Sequence, residues 1–376
     1  MKSIRDIPHF EGVKILVRAD FNVPIKNGAV ADDFRIRAAL PTIDFLREKG
    51  AKIILISHIE ANEGGNPSLK PIADHLKSKL KEPVTFLQNI KNANEFINQE
   101  LKDGKCVLLE NLRFNDGEKN NDAKFAKELA SLADIYVNEA FPVSHRAHAS
   151  IVGVPKFLLS YAGFQFEREV GNLSKAFNPT HPFFFILGGA KFETKLPLIE
   201  KFSKTADEIF VGGALANDIF KAKGYEVGKS TVSESTFHLP LSTFLLPIDV
   251  VNQNKEIKSP DSLSKDDSIL DAGPKTVELL RQKVNGARFI LWNGPLGMYE
   301  DGYREPTIAL AEMIGAKTQG GKETQSIVGG GDTLAAIATL KIEDQFTFVS
   351  TGGGAMLDFL AMGTLPGIDA LNGSAS

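Results

Sequence analysis

Two kinds of residue recur where the apolar runs of this chain end. In the first half they are polar and often basic: Asp20 and Asn22 after "VKILVRA", His58 after "AKIILIS", Arg113 after "CVLLENL" and Arg146 in "SHRAH". Arg35 joins them from the loop after Pro24. In the second half they are glycines: Gly188–Gly189, Gly212–Gly213, Asn293–Gly294, Gly329–Gly331 and Gly352–Gly354. Guanidinium forks match the oxygens of phosphate and carboxylate in pairs, so the first set suits a small, highly charged anion. Glycine lets backbone approach a ligand closely and takes positive φ without strain. N–H groups at a helix start, with the helix dipole behind them, hold phosphates, so the second set suits a nucleotide phosphate chain.

Each feature also has a plain structural use. A glycine at one strand–helix junction makes a tight turn; five such junctions on one sheet are more than turns need. Asp332 before "TLAAI" reads as a helix N-cap, a role compatible with reaching a metal. Lys191 and Lys195 in "GGAKFETKLPLI" are four apart and share a helix face. Opening a helix after a Gly-Gly turn, they face an anion site rather than plain solvent. Other strings carry nothing. "KGYEVGKST" has three residues between glycines where the P-loop needs four, and it follows a helical pattern. "GGGDTL" and "GGGAML" lack the last glycine of the dinucleotide fingerprint, which argues against an oxidoreductase. His145 and His148 lack further partners at zinc-like spacing, and Cys106 has no nucleophile signature.

These residues must be positioned by a repeating scaffold. Apolar β-rich runs alternate with helical patterns from end to end: "FFFILGG", "EIFVGG", "FLLPIDVV", "RFILWNG", "SIVGGG" and "FTFVSTGG" continue the series in the second half. Near-continuous apolar strands separated by helices mean parallel sheets covered on both faces. The fold class is α/β, with two doubly wound domains, and ligands belong beyond the carboxyl ends of the strands. "AGFQFEREVGNLSKAF", from Ala162 to Phe177, reads as a helix between the halves. A length of 376 residues fits two domains. A net charge of -4 argues against nucleic acid as a partner. One cysteine fits a reducing compartment. "MKSIRDIPHFEG" lacks the apolar core of a signal peptide, and no apolar run reaches membrane-spanning length. The expectation is a cytoplasmic protein.

Taken together, "LVRADFNVPIKNG", "DDFRIRAALPTI", "LLENLRF", "HRAHAS", "LGGAKFETKLPLIE", "LWNGPLGMYE", "VGGGDTLAA" and "STGGGAMLDFL" resemble the phosphoglycerate kinase family, in order and over almost the full length. The resemblance implies two Rossmann-like lobes joined by a helical hinge. Residues 1–160 would bind 3-phosphoglycerate or 1,3-bisphosphoglycerate, and 161–355 Mg-ADP or Mg-ATP. Residues 356–376 would return to the first lobe. The implied reaction is reversible phosphoryl transfer between the acyl phosphate and ADP, by a monomer whose lobes close over both substrates. By motif, Asp20, Asn22, His58, Arg113 and Arg146 would hold the acid substrate, with Arg35 at the reacting group. Lys195 would follow the migrating phosphoryl, Lys191 would assist at the nucleotide phosphates, and Gly353 would offer its N–H. Gly212, Gly213 and Asn293 would lie near the nucleotide, and Glu300 at its ribose. Gly330, Gly331 and Thr333 would meet the phosphates, and Asp332 the magnesium.

The chain departs from the family twice. Where the family has "SHLGRP" it reads "SHIEANEGG", with Ala61 at the place of a substrate-contacting arginine and Glu60 adding a negative charge. Where the family has "NDAFGTAHRAH" it reads "NEAFPVSHRAH". These changes keep a second function in view, a catalytically weakened nucleotide-binding protein on the same scaffold.

Overall fold

The computed structural model describes residues 1–60, 67–190, 192–233, 240–320 and 323–374. Ala61 and Lys191 therefore lie outside the described residues. The chain forms two compact units: Met1–Gly171 with Met362–Ser376, and Asn172–Ala361.

The first unit is built on strands β1 (Lys14–Arg18), β2 (Lys52–Ile56), β3 (Val84–Leu87), β4 (Cys106–Leu109), β5 (Ile135–Asn138) and β6 (Leu159–Ala162). They lie side by side in the order β3-β4-β2-β1-β5-β6, every pairing parallel. Ile15, Leu16 and Val17 of β1 and Ile53 to Ile56 of β2 are buried on both faces, which is why these runs do not alternate with polar residues. The chain winds outward from β1 through β2, then returns to its other side at β5. The carboxyl ends of β1, β2 and β5 thus border the crevice where the winding reverses, the usual ligand position of such sheets. The edge strands β3 and β6 were not read from the sequence. "VTFL" is only half-buried and "LSYA" carries a serine, so neither forms a distinct apolar run. Ala162 belongs to β6; the helix expected from that residue begins at Phe164 and ends at Leu173, with a 3-10 turn over Ser174–Phe177.

The second unit centres on β7 (Phe183–Leu187), β8 (Glu208–Val211), β9 (Phe244–Leu245), β13 (Phe289–Asn293), β14 (Gln325–Gly329) and β15 (Phe348–Val349), in the order β9-β8-β7-β13-β14-β15 and again all parallel. The remaining strands β10 (Val250–Asn252), β11 (Ile257–Lys258) and β12 (Ile269–Ala272) make a separate antiparallel sheet, β11-β10-β12. "FLLPIDVV", expected as one strand, is therefore two. Pro247 has no N–H for a ladder and separates β9 from β10, which pair in different sheets. Trp292 and the three phenylalanines of β7 fill the centre of this unit.

Candidate functional site

In the first unit Asp20, Asn22, Arg35, Arg113 and Arg146, five of the six predicted acid-binding residues, form one polar network through Glu60. Asp20 is 5% exposed, just past β1. Its Oδ2 accepts from Arg35 at 3.0 Å and its Oδ1 from the Asn22 N–H at 3.1 Å. Asn22 Oδ1 accepts from the Glu60 N–H at 3.0 Å. Arg113 is carried by a 3-10 turn, Leu112–Phe114, capped by Asn111. Asn111 also clamps the end of β2, accepting from Ile59 N–H and donating to Ile59 C=O. Loops from three different strands are thereby held in register. Glu60 Oε1 stands 3.1 Å from Arg113 and 3.3 Å from Arg146.

His58 is buried, with Nδ1 facing the guanidinium of Arg18 at 3.1 Å. Burial holds its pKa well below the ordinary value, and Arg18, Arg113, Arg146 and Arg35 push the same way. His148 is pushed down to about 3, first by burial and then by Arg113 and Arg146. Arg18 was missed in the sequence. Its signal was a lone cation closing an apolar strand.

The second unit has a cavity of about 300 Å³ at the carboxyl ends of its strands. Gly189, Gly213 and Ala214 line it, with the run from Pro295 to Asp301, Asp271 of β12 and Asp332. Two close approaches explain the glycines. Gly213 has φ +60, and a Cβ there would sit 2.7 Å from the Gly189 nitrogen. A Cβ on Gly188 would sit 2.0 Å from the Pro295 carbonyl oxygen. Beside the cavity, Lys195 is 7% exposed and its Nζ donates to Asn293 Oδ1. Thr333 Oγ1 accepts from the Gly294 N–H at 3.0 Å. Burial pushes the Lys195 ammonium down to about 8, opposed by Asp332.

Gly330 has φ +107 and caps the helix Gly331–Leu340. Asp332 thus occupies the first turn rather than the N-cap position, and it is exposed. Gly331 opens that helix, and Gly353, with φ +53, precedes the helix Gly354–Met362. Glu300 is an exposed wall residue of the cavity. Gly212 is not a wall residue: it is buried, and a Cβ there would meet the Phe210 ring at 2.9 Å and Leu296 at 3.0 Å. The structure explains this glycine by packing. Asn217, Leu270 and Asp271 line the cavity without having been singled out. Asp271 is buried under Gly297, and among the described residues its Oδ2 has no hydrogen-bond partner. Burial pushes its pKa up to about 8.

The model of one family, described as phosphoglycerate kinase, matches residues 4–362. A curated phosphoglycerate kinase of Dictyoglomus turgidum is 43% identical over 98% of each chain. One of Chloroherpeton thalassium is 42% identical over 99% of each. Among solved structures, phosphoglycerate kinase from Coxiella burnetii aligns with a TM-score of 0.84 at 35% identity, covering 98% of both chains. That from Pyrococcus horikoshii aligns with a TM-score of 0.86 at 30% identity, covering 99% of this chain and 98% of its own. With two parallel-sheet units, a basic anion network on one and a glycine-walled cavity on the other, the chain belongs to the phosphoglycerate kinase family.

Proposed function

We propose that the chain transfers the γ-phosphoryl group of Mg-ATP to the carboxylate of 3-phosphoglycerate, and runs the reverse reaction from 1,3-bisphosphoglycerate and Mg-ADP. The bond between the γ-phosphorus and the bridging oxygen breaks, and a bond from a carboxylate oxygen to that phosphorus forms. The acceptor is already ionised at neutral pH, so no proton has to be removed and no general base is required. What the protein supplies is alignment and positive charge on the equatorial oxygens.

In the first unit, Arg113, Arg146 and His58 hold the acid's anionic groups, Asp20 and Asn22 its glycerate portion, and Arg35 meets the reacting carboxylate. In the second unit, Gly213 and Glu300 hold the nucleoside. Asn293, Gly330, Gly331, Thr333 and Lys191 serve the phosphates, with Gly353 offering its N–H to the migrating group. The observation that carries the reading is Lys195: a buried ammonium fixed on Asn293, within electrostatic reach of Asp332 on the cavity wall. Such a charge is expensive to bury and is well suited to a developing phosphoryl charge.

The donor set fits magnesium that arrives with the nucleotide. Among the described residues no group of three or more His, Cys, Asp or Glu is gathered to hold an ion. Asp332 offers a single carboxylate, and Mg²⁺ takes one or two carboxylates plus phosphate oxygens and water. When bound, the ion neutralises phosphate charge and orients the chain; Asp332 would hold it. Among the described residues no helix is long and apolar enough to cross a membrane. A cytoplasmic monomer completes the proposal.

Full-length identity above 40% to curated kinases supports catalysis over the weakened nucleotide-binding alternative. The acceptor is tested by incubating the protein with 3-phosphoglycerate, Mg-ATP and hydroxylamine. An acyl phosphate yields a hydroxamate. ATP consumption without hydroxamate would contradict a carboxylate acceptor.

A further inference from the structure

Glu60 stands in the segment where this chain departs from the family it resembles. Its carboxylate is turned onto the basic network. A single oxygen, Oε1, lies 3.1 Å from Arg113 and 3.3 Å from Arg146, and the Glu60 N–H is held by Asn22 at 3.0 Å. The Arg113 side chain is only 1% exposed, while those of Glu60 and Arg146 are 38% and 39% exposed. One carboxylate oxygen shared between two guanidinium groups is the arrangement a substrate anion would adopt there.

We infer that Glu60 is a resident stand-in for the acid substrate, neutralising Arg113 and Arg146 in the ligand-free protein and yielding them when the substrate binds, so that it sets acid-substrate affinity. The inference rests on the reading that these two arginines hold 3-phosphoglycerate. The physical basis is charge balance. Burial is the first influence against the positive charge of Arg113, with Arg146 and Arg18 adding to it; Glu60, ahead of Glu118, favours that charge. A guanidinium as buried as that of Arg113 is costly to leave short of negative charge, so it has a use for Glu60 until the substrate arrives. The partner must also be able to leave. Glu60 is exposed enough to regain hydration on release, which keeps the competition modest.

The test uses the full chain with Glu60→Gln, which keeps the shape, and Glu60→Gly, which restores the family's residue. Calorimetric titration with 3-phosphoglycerate should give a dissociation constant lower by roughly threefold to tenfold in both variants, the range expected for contacts of this exposure. The gain should shrink as ionic strength rises, since exposed charges are screened. The constant for Mg-ATP, measured as the control, should not move. Unchanged or weaker 3-phosphoglycerate binding in both variants would overturn the inference. Arg113→Ala separates this from the reading beneath it. If that variant loses acid binding while the Glu60 variants change nothing, only the stand-in role fails. If Arg113→Ala binds the acid normally, the assignment of the acid site itself is wrong, and the stand-in role falls with it.

Discussion

Nδ1 of His58 accepts a hydrogen bond from the Arg18 guanidinium at 3.1 Å, and this contact decides where the imidazole carries its proton. Arginine has no acceptor and stays charged, so the ring must accept at Nδ1 and hold its proton on Nε2. Arg18 is itself fixed. Its Nε donates to Ser150 Oγ at 2.9 Å and its NH1 to the Ala19 carbonyl. Ser150 Oγ donates to the buried Glu118 at 2.6 Å. A chain of buried groups therefore fixes a neutral ring with its proton on Nε2, the N–H that the proposed function offers to the acid substrate, while charge around it comes from Arg113, Arg146 and Arg35.

The tautomer is directly measurable. Nitrogen-15 NMR of the ligand-free protein should find His58 protonated on Nε2 and not titrating between pH 5 and 8. In Arg18→Met burial, the first cause, and Arg113, Arg146 and Arg35 still hold the ring neutral, but Nδ1 loses its donor, so the proton should no longer be confined to Nε2. A wild-type His58 titrating near 6.5 would contradict the arrangement.

Lys195 predicts an alkaline limb. Burial draws its pKa from 10.5 to about 8, so the free enzyme loses this cation as pH passes that value. The limb should appear in kcat/KM for Mg-ATP and weaken in kcat, because bound phosphate favours the ammonium. Lys195→Arg should lose the limb in whatever activity remains. A limb that persists unchanged in that variant would assign it to another group.

Asp271 should make stability fall with pH. Its folded pKa is raised from 3.8 to about 8, so between those values the folded state binds more protons than the unfolded one. The contribution to stability then declines as pH rises through that window. Asp271→Asn removes the ionisation. In urea titrations without ligand, its stability relative to wild type should improve steadily from pH 5 to pH 8. A pH-independent difference would rule out the buried carboxyl as the cause.

Gly213→Ala tests the cavity. The added Cβ would meet the Gly189 backbone at 2.7 Å, at a φ that alanine adopts with strain. Mg-ADP affinity should drop at least tenfold, while 3-phosphoglycerate affinity is retained. Wild-type nucleotide affinity would place the nucleoside elsewhere.

Much of this was legible where polar residues interrupt apolar runs. Asp20, His58 and Arg113 follow buried strands, and the doubly wound scaffold puts strand ends at one edge. The glycine junctions stand at strand ends for the same reason, and at Gly212 packing against Phe210 and Leu296 by itself calls for a glycine. Arg18 was not, because a lone cation closing an apolar strand says nothing of its partners Glu118 and Ser150, which are distant in sequence. The antiparallel sheet β11-β10-β12 was also hidden. Its strands are short and of mixed polarity, and their pairing depends on tertiary contacts. Asp271 looks like any loop-flanking acid until Gly297 is found closing over it.

Turnover of Arg35→Ala and Lys195→Ala, each measured in a coupled assay with saturating 3-phosphoglycerate and Mg-ATP, tests the account most directly. Both side chains are proposed to meet charge that develops on the migrating phosphoryl group. Each variant should lose roughly a hundredfold to a thousandfold in kcat, the scale of a lost electrostatic contact to a transition state. Near-wild-type kcat in either variant would contradict it.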